Sequence, residues 1–568
     1  MFIGNLLFAQ QPDYKNAELP IGDRVASLLS EMTIEEKIAA MTTKGVLFDE
    51  NGKFDFEKNR EINKYGFSQA WPAAYEYEDY GNYLNTVQEF NIEHTRLGIP
   101  AIVGAEGLHS FMVKGTTVFP QAIALASTWD IDLIEKVSSA IALEMRAVGT
   151  HRALGPVLDL ARDPRWGRVE ETFGEDPYLL SRIGLAFTNG LQGRGEEFLD
   201  KNHVISHLKH FVAHGQPEGA LNTGPANFSE RILRENHFYP FEVGVKQGNA
   251  MGAMVTYHEI DGVPMTANYK YVTTMLQEEW GFKGYIGPDY GAIDHLVSRH
   301  HVAKDSLQAA KLAIDAGIHN IGLRYSDNFL TVFELYKQEL ISEEQIDAAV
   351  APKLRLKFLL GLFEDPYVDE SLQKQVFNSE PHRKLALGAA HKSVILLKNE
   401  NNLLPLDTDK IKNLAVIGPN AAGIHLGVYT QEPRVGIGVL EGIENFAKGK
   451  FNVKYAEGCK ITVGVPSWIS NDVVELSKPE DDAKLIKEAV EVAKKSDVVL
   501  LVLGGNEETS REAWDEHMGD RDNLDLIGQQ NELVKEILKT GKPVVVLLLN
   551  GRPLTINYLA ENVPAILE

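Results

Sequence analysis

The chain is almost free of cysteine, since Cys459 is the single example in 568 residues. An intrachain disulfide is therefore impossible, which excludes a disulfide-stapled scaffold and is typical of a cytosolic or bacterial periplasmic protein. The sequence also lacks an apolar run of the roughly 20 residues that a membrane-spanning helix needs. Both absences point to a globular protein that is held together by packing.

Positive charge is scarce as well. Lys and Arg number 56 against 80 Asp and Glu, which gives a net charge of −24. Because such a surface repels polyanions, we expect neither nucleic acid nor a membrane as a partner, and neutral substrates remain open. The sequence contains no HExxH, CxxC or GxSxG motif. It therefore predicts no metal site and no cofactor.

The two ends of the chain carry separate expectations. Residues 1–16, MFIGNLLFAQQPDYKN, have a short apolar segment and then the small Ala9, like the tail of a secretory signal without its basic start. We expect a periplasmic or secreted protein, while a disordered start and a cytoplasmic location stay open. Residues 563–568 form an apolar run with no polar tail, which predicts that the chain is truncated at its C-terminus.

A length of 568 residues is too great for one hydrophobic core. Within residues 20–362, strand patterns alternate with helix patterns, and their number favours a (β/α)8 TIM-like barrel over an open doubly wound sheet. Residues 363–388 are polar and contain proline, so they predict a linker. Residues 389–568 alternate again, with strands such as DVVLLVLGG and PVVVLLLNG, and predict a second α/β domain.

The stretch GFKGYIGPDYGAID at 281–294 is the most informative one in the first domain. A short apolar strand ends at Gly287 and Pro288 and places Asp289 at the carboxyl end of a predicted parallel strand. That end is where α/β folds place their chemistry. The simpler interpretation is that Asp289 caps the helix that follows.

Polar residues follow most of the other predicted strands too. On a barrel these positions meet on one face, because every parallel strand ends there. Carboxylates, cations and aromatics without a nucleophilic Ser or Cys suit a neutral polyol such as a sugar, and paired carboxylates suggest glycoside hydrolysis. The candidates are Glu106, His109, Asp159, Arg162, Asp163, Lys209, His210, Tyr257 and Asp289.

Several long stretches resemble the signature regions of glycoside hydrolase family 3. They are GPVLDLARDPRWGRVEETFGEDPYLLS (155–181), LKHFVAHGQPEG (208–219), EEWGFKGYIGPDYGAID (278–294), HKSVILLKNENNLLPL (391–406) and GDRDNLDLIGQQNELVKEI (519–537). The resemblance runs from about residue 20 to the end of the chain. It implies a barrel followed by an (α/β)6 sandwich, an active site between the two domains, and retaining, exo-acting β-glycosidase activity.

The resemblance also implies a role for individual residues. Asp289 matches the nucleophile of the family. Lys209 and His210 match its sugar-binding Lys-His pair, Arg162 another hydroxyl ligand, and Tyr257 a tyrosine near the reacting centre. Glu106 matches the acidic residue that grips the non-reducing end. We expect Lys209 and Arg162 to lower the pKa of Asp289 and so keep its carboxylate ionised.

The second carboxyl group of a retaining enzyme lies about 5–5.5 Å from the nucleophile and must be protonated before reaction. In the family it comes from the second domain, before an Asp-Arg pair, which corresponds here to residues 504–524. Glu512 in Ser-Arg-Glu-Ala is the preferred acid/base, and Glu516 is the alternative. Glu106 in place of an aspartate, with the Leu-His that comes after it, favours β-xylosides over β-glucosides as substrates. We expect the protein to be a monomer or homodimer.

Three positions depart from the family pattern. Pro288 replaces a serine before the nucleophile, His258 replaces the commoner asparagine, and Ser110 stands in place of glycine. His214 is expected to pack in its loop or behind the site instead of acting as an acid. Because Pro288 removes a backbone donor, a carbohydrate-binding pseudoenzyme is the alternative function.

Overall fold

The computed structural model describes residues 13–42, 45–70, 79–464, 467–469, 474–513 and 518–568. In the first domain the strands are β1 (Gln69–Ala70), β2 (Ile102–Glu106), β3 (Arg152–Leu154), β4 (Ile205–Phe211), β5 (Gly252–Val255), β6 (Glu259–Ile260), β7 (Val263–Pro264) and β8 (Tyr285–Pro288). In the second they are β9 (Leu396–Asn399), β10 (Asn413–Ile417), β11 (Asn452–Ala456), β12 (Val498–Gly504), β13 (Val544–Leu549) and β14 (Ala565–Leu567).

Helices separate these strands. Those before β8 are α1 (Ile21–Glu31), α2 (Ile34–Met41), α3 (Phe56–Ile62), α4 (Tyr80–Glu93), α5 (Ala122–Ser127), α6 (Ile131–Arg146), α7 (Pro177–Gln192), α8 (Glu230–Ile232) and α9 (Phe238–Lys246). Those after β8 are α10 (His295–Ser298), α11 (Ser306–Asp315), α12 (Asn328–Lys337), α13 (Glu343–Leu359), α14 (Ser371–Val376), α15 (Glu380–Ser393), α16 (Val439–Ala447), α17 (Pro479–Lys494), α18 (Gln530–Leu538) and α19 (Asn557–Asn562). Among the helices described, none is long and apolar enough to cross a membrane.

The first sheet has the order β1-β2-β3-β4-β5-β8, and all its strands are parallel. The sheet curls, because Gln69 on its first strand donates a 3.2 Å hydrogen bond to the Tyr285 hydroxyl on its last. Every residue of β4 is buried, as expected for a strand that is covered on both faces. The carboxyl ends of β2, β4, β5 and β8 therefore share one rim, on which the polar residues lie.

The predicted two-domain α/β architecture is confirmed, but the first sheet holds six strands where a barrel of this type has eight. Beyond β8, the amide of His319 donates to the Ile286 carbonyl at 2.9 Å. Ile321 then pairs with Thr42 through an isolated parallel bridge. These segments do not count as strands, because a single bridge does not form a ladder of paired residues.

The second sheet has the order β11-β10-β12-β13-β14-β9. Its first five strands are parallel, whereas β9 pairs with β14 in the antiparallel direction. The central strand β12 (VVLLVLG) is rich in valine and leucine and is almost wholly buried, which is typical of a sheet that is packed on both faces. A separate core of buried apolar side chains around this sheet makes the second domain a packing unit of its own.

Two segments have local structure that their sequence patterns do not reveal. Residues 363–388, expected as a linker, contain α14 and the first part of α15, and His382 of α15 bonds to the buried Glu144 of α6 at 2.9 Å. Pro240 lies inside α9, and Leu233–His237 form a π-helical turn just before that helix, after α8. A proline lacks the N–H that regular helical bonding requires, and a wide turn just before it accommodates the missing donor.

Candidate active site

Asp289 directly follows β8 and is 8% exposed. Its backbone N–H donates to the Val255 carbonyl of β5 at 2.9 Å, and its Oδ1 accepts from the Tyr290 amide at 2.6 Å. The next helix is not capped by this side chain, because the N-cap residue of α10 is Asp294. Among the described residues, Oδ2 of Asp289 is a buried oxygen without a hydrogen-bond partner. A bare carboxylate oxygen of this kind is suited to act as a nucleophile.

The two residues before Asp289 have a structural reason for their identity. A Cβ at position 287 would lie 2.7 Å from the Tyr285 hydroxyl oxygen, so only glycine fits there without a shift. Pro288 pairs in register with Val255 and lacks a donor. The ladder resumes at the next residue, because the Asp289 amide reaches the Val255 carbonyl. The departure from the family pattern therefore leaves Asp289 anchored to the sheet.

Lys209 lies on β4, which β5 separates from β8, and its ammonium contacts the last residue of β2. Its Nζ is 2.8 Å from Oε2 of Glu106. The Lys209 side chain is 2% exposed and the Glu106 side chain 13%. The structure thus brings together two of the predicted sugar-binding residues as an ion pair at the rim of the sheet.

His210 follows Lys209, and its protonation can be read from its partners. Its Nε2 lies 3.0 Å from the Arg168 guanidinium, which can only donate, so Nε2 is the acceptor nitrogen. The proton is then on Nδ1, which donates to Oδ2 of Asp159 at 2.7 Å. Burial lowers the pKa of His210 well below its usual range, so the ring is neutral. Its Nε2 is 3.6 Å from Oδ2 of Asp289.

The predicted sugar ligand Arg162 is not brought to this site, and this expectation needs correction. Arg162 is exposed and donates to the Asn236 side chain at 2.9 Å. The arginine beside the carboxylates is Arg168, six residues further on. Arg168 is fully buried and binds both oxygens of Glu171 at 2.8 Å. The chain turns between the two arginines, so only the second one faces inward.

Glu512 reaches the same cluster from the second domain, on the loop between β12 and α18. Its Oε1 accepts from Arg168 at 2.9 Å, and its Oε2 accepts from the Tyr429 hydroxyl at 2.5 Å. Asn222 of the first domain lies 3.5 Å from Oε1. The alternative acid/base, Glu516, lies outside the described residues. The structure therefore joins the preferred candidate to the Asp289 side of the cluster through a single buried arginine.

Tyr257 lies two residues after β5 and is buried. Burial and then the charges of Asp289 and Glu512 raise its pKa well above the usual range, so the phenol stays protonated. Behind it, the His214 ring stacks on His258 with 5.5 Å between centroids and an angle of 10°. The His214 ring also lies 5.9 Å from the Tyr257 ring, so the unusual His258 packs on a histidine that contacts Tyr257.

The electrostatics of Asp289 differ from the expectation. Burial, and next the charge of Glu512, raise its pKa to about 7. Arg168 and Lys209 oppose this rise but do not cancel it. The reason is the balance of charge, because Arg168 and Lys209 face five carboxyl groups, those of Glu106, Asp159, Glu171, Asp289 and Glu512. Such a crowded set holds protons more firmly than isolated carboxylates do.

Comparison with known proteins decides the family. The family model described as "Glycosyl hydrolase family 3 N terminal domain" matches residues 33–356. The model described as "Glycosyl hydrolase family 3 C-terminal domain" matches residues 394–568. The chain belongs to glycosyl hydrolase family 3. The resemblance that its motifs predict is therefore confirmed, and the protein is a glycoside hydrolase.

Individual members of family 3 are similar along nearly the whole chain. A β-xylosidase of Formosa agariphila is 39% identical, over 97% of this chain and 70% of that protein. A periplasmic β-glucosidase of Salmonella typhimurium is 32% identical, over 96% of this chain and 70% of that one. The solved structure of a β-glucosidase from Erythrobacter marinus has a TM-score of 0.93 at 36% identity and covers 98% of this chain and 75% of its own.

Two residues of this family 3 site escaped the sequence interpretation. Arg168 belongs to the run RDPRWGR, in which Arg162, Arg165 and Arg168 have equal spacing and nothing local singles out one of them. Tyr429 lies in a loop of the second domain without a periodic pattern. Its side chain meets Glu512 within the same domain, although 83 residues separate the two in the chain. In the described ranges, no group of three or more His, Cys, Asp or Glu side chains is arranged to hold a metal ion.

Proposed function

We propose that this family 3 chain is a retaining, exo-acting β-glycosidase, with Asp289 as nucleophile and Glu512 as acid/base. One observation carries the proposal: the buried Oδ2 of Asp289 has no hydrogen-bond partner among the described residues and lies in the same charge cluster as Glu512 of the other domain. Two carboxyl groups in one enclosed cluster are what double displacement needs.

The reaction would proceed in two steps. In the first, Oδ2 of Asp289 attacks the anomeric carbon while Glu512 gives its proton to the glycosidic oxygen, so that the leaving group departs as an alcohol. In the second, Glu512 takes a proton from water, the water oxygen bonds to the anomeric carbon, and the bond to Asp289 breaks. Two inversions return the original β configuration. The raised pKa of Asp289 means that the ionised enzyme required for attack gains population as the pH rises toward about 7.

The ion pair of Lys209 with Glu106 supports exo action. It lies at the end of β2 and β4, and both side chains are largely buried. An ammonium and a carboxylate held 2.8 Å apart offer a donor and an acceptor to the hydroxyls of a terminal sugar. We propose that this ion pair closes the far end of the sugar site, so that no further sugar unit binds beyond it. His210 and Tyr257 complete the proposed sugar contacts.

The substrate class follows from the relatives and remains part of the proposal. The β-xylosidase of Formosa agariphila and the β-glucosidases named above support a non-reducing-end β-D-xylosyl or β-D-glucosyl unit on an oligosaccharide or another glycoside. We also propose a monomer or homodimer, in the periplasm or secreted. The periplasmic β-glucosidase of Salmonella typhimurium supports that location.

We also propose the domain limits and the closure of the first sheet into a barrel. The domains are 20–362, 363–388 as the connection, and 389–568, and the family matches at 33–356 and 394–568 support these limits. The segments around Ile321 and Thr42 would provide the seventh and eighth positions of a (β/α)8 barrel. Their bridge to each other, and the His319 bond to Ile286, support this closure. The second domain would be the (α/β)6 sandwich.

Activity on p-nitrophenyl β-xyloside and β-glucoside tests the proposal. We expect release from at least one, with the β-anomer as the first product by NMR. Asp289→Asn should lose activity by about 10³-fold or more, because the nucleophile is gone. Incubation with a 2-deoxy-2-fluoro glycosyl fluoride should add one glycosyl group to the wild type and none to Asp289→Asn, as read by mass spectrometry.

Two results would overturn the assignment. A first product with the α configuration would replace the retaining mechanism by an inverting one. A folded wild-type protein that binds xylose or glucose in calorimetry, but releases no nitrophenol from either substrate, would favour the carbohydrate-binding pseudoenzyme.

Glu512→Gln tests the role of the second carboxyl group independently of Asp289. It should slow substrates with poor leaving groups by about 10²–10⁴-fold and activated ones far less.

A further inference from the structure

A short segment of the second domain, residues 426–432, lies across the domain boundary and is called the strap below. It follows β10 and precedes α16. Its centre, Val428, donates its amide to Oε1 of the buried Glu170 at 2.8 Å. The Val428 carbonyl lies 3.1 Å from both His109 Nε2 and Gln121 Nε2. Three side chains of the first domain thus hold one residue of the second.

The rest of the strap is held as well. Ser110 of the first domain donates to the Thr430 hydroxyl at 3.2 Å, and the Gly115 amide donates to the Glu432 carbonyl at 2.9 Å. From the other side, Glu507 accepts from the Leu426 amide at 3.2 Å. The unusual Ser110 therefore has a structural role, since its hydroxyl supplies one of the bonds between the domains.

The strap forces Tyr429 into a backbone conformation that side chains rarely adopt, with φ at 54°. A bulky residue persists there only when its surroundings determine it, and such positions concentrate at functional sites. Two residues before Tyr429 is Gly427, with φ at 73°, and a Cβ on it would lie 2.2 Å from the Gln121 side chain. The strap is thus closely fitted to the first domain on both sides of Val428.

This conformation directs the Tyr429 ring into the cluster of charges. The Lys209 ammonium lies 5.0 Å from the ring centroid, and the centroid of the Trp468 ring lies 4.9 Å from it. The hydroxyl then meets Oε2 of Glu512 at 2.5 Å. Because Arg168 donates to Oε1 of Glu512, a proton on this carboxyl is favoured on Oε2. Oε2 is therefore the oxygen that exchanges the proton, and Tyr429 is bonded to it.

We propose that Tyr429 is a positioning residue for the acid/base, and that the strap fixes it across the domain boundary. Its hydroxyl holds Oε2 of Glu512 in the direction from which the proton is transferred, and it stabilises the carboxylate that remains after transfer. The inference rests on the proposed function, because it requires Glu512 to be the acid/base. It adds a residue of the strap to the machinery of proton transfer.

Tyr429→Phe tests the inference, since it keeps the ring and removes only the hydroxyl. We expect kcat/KM for an unactivated alkyl glycoside to fall by about 10-fold or more. For a 2,4-dinitrophenyl glycoside, whose leaving group needs no proton, the fall should stay below about 3-fold.

The controls make a purely structural role distinguishable. Tyr455→Phe removes a hydroxyl from β11 of the same domain, at a residue that is 41% exposed, and should change neither substrate. Ser110→Ala, which loosens the strap, should reproduce the leaving-group dependence of Tyr429→Phe in weaker form. Equal losses on both glycosides in Tyr429→Phe, or no loss on either, would overturn the inference.

Failure of the proposed function would have its own signature. If Glu512→Gln showed no dependence on the leaving group, Glu512 would not be the acid/base and the proposed function would fail at that residue. If Glu512→Gln showed that dependence and Tyr429→Phe did not, the proposed function would stand and the inference about Tyr429 would fall.

Discussion

Arg168 is the residue on which the charge cluster depends. Its guanidinium bonds to Glu171, to Glu512 and to the acceptor nitrogen of His210, so one side chain links three others from both domains. All its partners are nearly excluded from water, with side-chain exposures of 0% for Glu171 and 8% for Glu512. Removing one member of a buried ion pair leaves an uncompensated charge, which is far more costly than removing an exposed pair.

Arg168→Met should therefore destabilise the protein by about 3–5 kcal/mol, because Glu171 and Glu512 lose their common partner. Urea unfolding that is followed by fluorescence measures the change. Arg162→Met is the matched control: the same substitution in the same segment, at an exposed side chain, should leave the unfolding midpoint close to that of the wild type. Equal effects of the two substitutions would contradict the assignment of Arg168 as the buried arginine.

At the scale of single elements, β8 determines where the nucleophile lies. Tyr285 and Ile286 are buried, Gly287 leaves space for the Tyr285 ring, and Pro288 ends the strand one residue before Asp289. The Tyr285 ring is buried against two long side chains, with Arg152 at 5.0 Å and Lys353 at 5.3 Å from its centroid. Its hydroxyl also accepts from Gln69 at 3.2 Å, so the ring cannot move away easily and the space at position 287 is fixed as well.

Gly287→Ala should lower both stability and activity. The new Cβ would lie 2.7 Å from the Tyr285 hydroxyl oxygen, and overpacking of this kind costs about 1–3 kcal/mol. Because Asp289 is two residues away, kcat on the aryl glycoside should fall as well. Unfolding free energies and kcat are measured for Gly287→Ala, Tyr285→Phe and the double variant. Because the double variant lacks the clashing oxygen, its losses of unfolding free energy and of kcat should be smaller than the summed losses of the two single variants.

Gly388→Ala provides the control for that series. It lies inside α15, and a Cβ there meets no atom within 4 Å. Alanine in a helix interior is favoured over glycine by about 0.5–1 kcal/mol, so this variant should be as stable as the wild type or more so, with unchanged kcat. An additive double variant in the Gly287 series would show that the Tyr285 hydroxyl is not the obstacle.

At the scale of the whole molecule, a buried carboxyl group lies at the boundary between the two domains. Glu170 is 4% exposed, and its Oε1 accepts from Val428 of the strap and from Gln121. Burial raises the pKa of Glu170 to about 8, against weaker opposition from the Val428 hydrogen bond. Since its pKa is higher in the folded protein than in the unfolded chain, the folded state holds the proton more firmly. The stability from this group is present at low pH and is lost as pH rises toward about 8.

Glu170→Gln should remove that loss. The amide oxygen can still accept from Val428 and Gln121, but it has no proton to lose. The melting temperature of the variant relative to the wild type should therefore rise between pH 5 and pH 9. Differential scanning fluorimetry across that range measures it, with Glu144→Gln, a buried carboxyl within the first domain, run in parallel. A constant difference between Glu170→Gln and the wild type at every pH would contradict the raised pKa of Glu170.

Much of the fold was accessible from local patterns. Alternating strands and helices predict a parallel sheet because a parallel connection needs a crossover, and the two domains follow from the length of the chain. The number of strands in the first sheet was not accessible, because the segments at Thr42 and Ile321 pair through a single bridge. The helices α14 and α15 were hidden in a polar stretch because α15 gains its place through contacts such as that of His382 with Glu144.

For the site, the sequence by itself determined that Asp289, Lys209, His210 and Glu106 lie at, or within two residues of, the carboxyl ends of strands, which meet at one edge of a parallel sheet. Only the tertiary structure decided which arginine of the run RDPRWGR is buried, because Arg162 and Arg168 have the same chemistry and differ only in the direction that the folded chain gives them. It also decided that Tyr429 reaches Glu512, and that burial outweighs the nearby cations at Asp289. Contacts between domains and the exclusion of water depend on residues far apart in the chain, which no local pattern records.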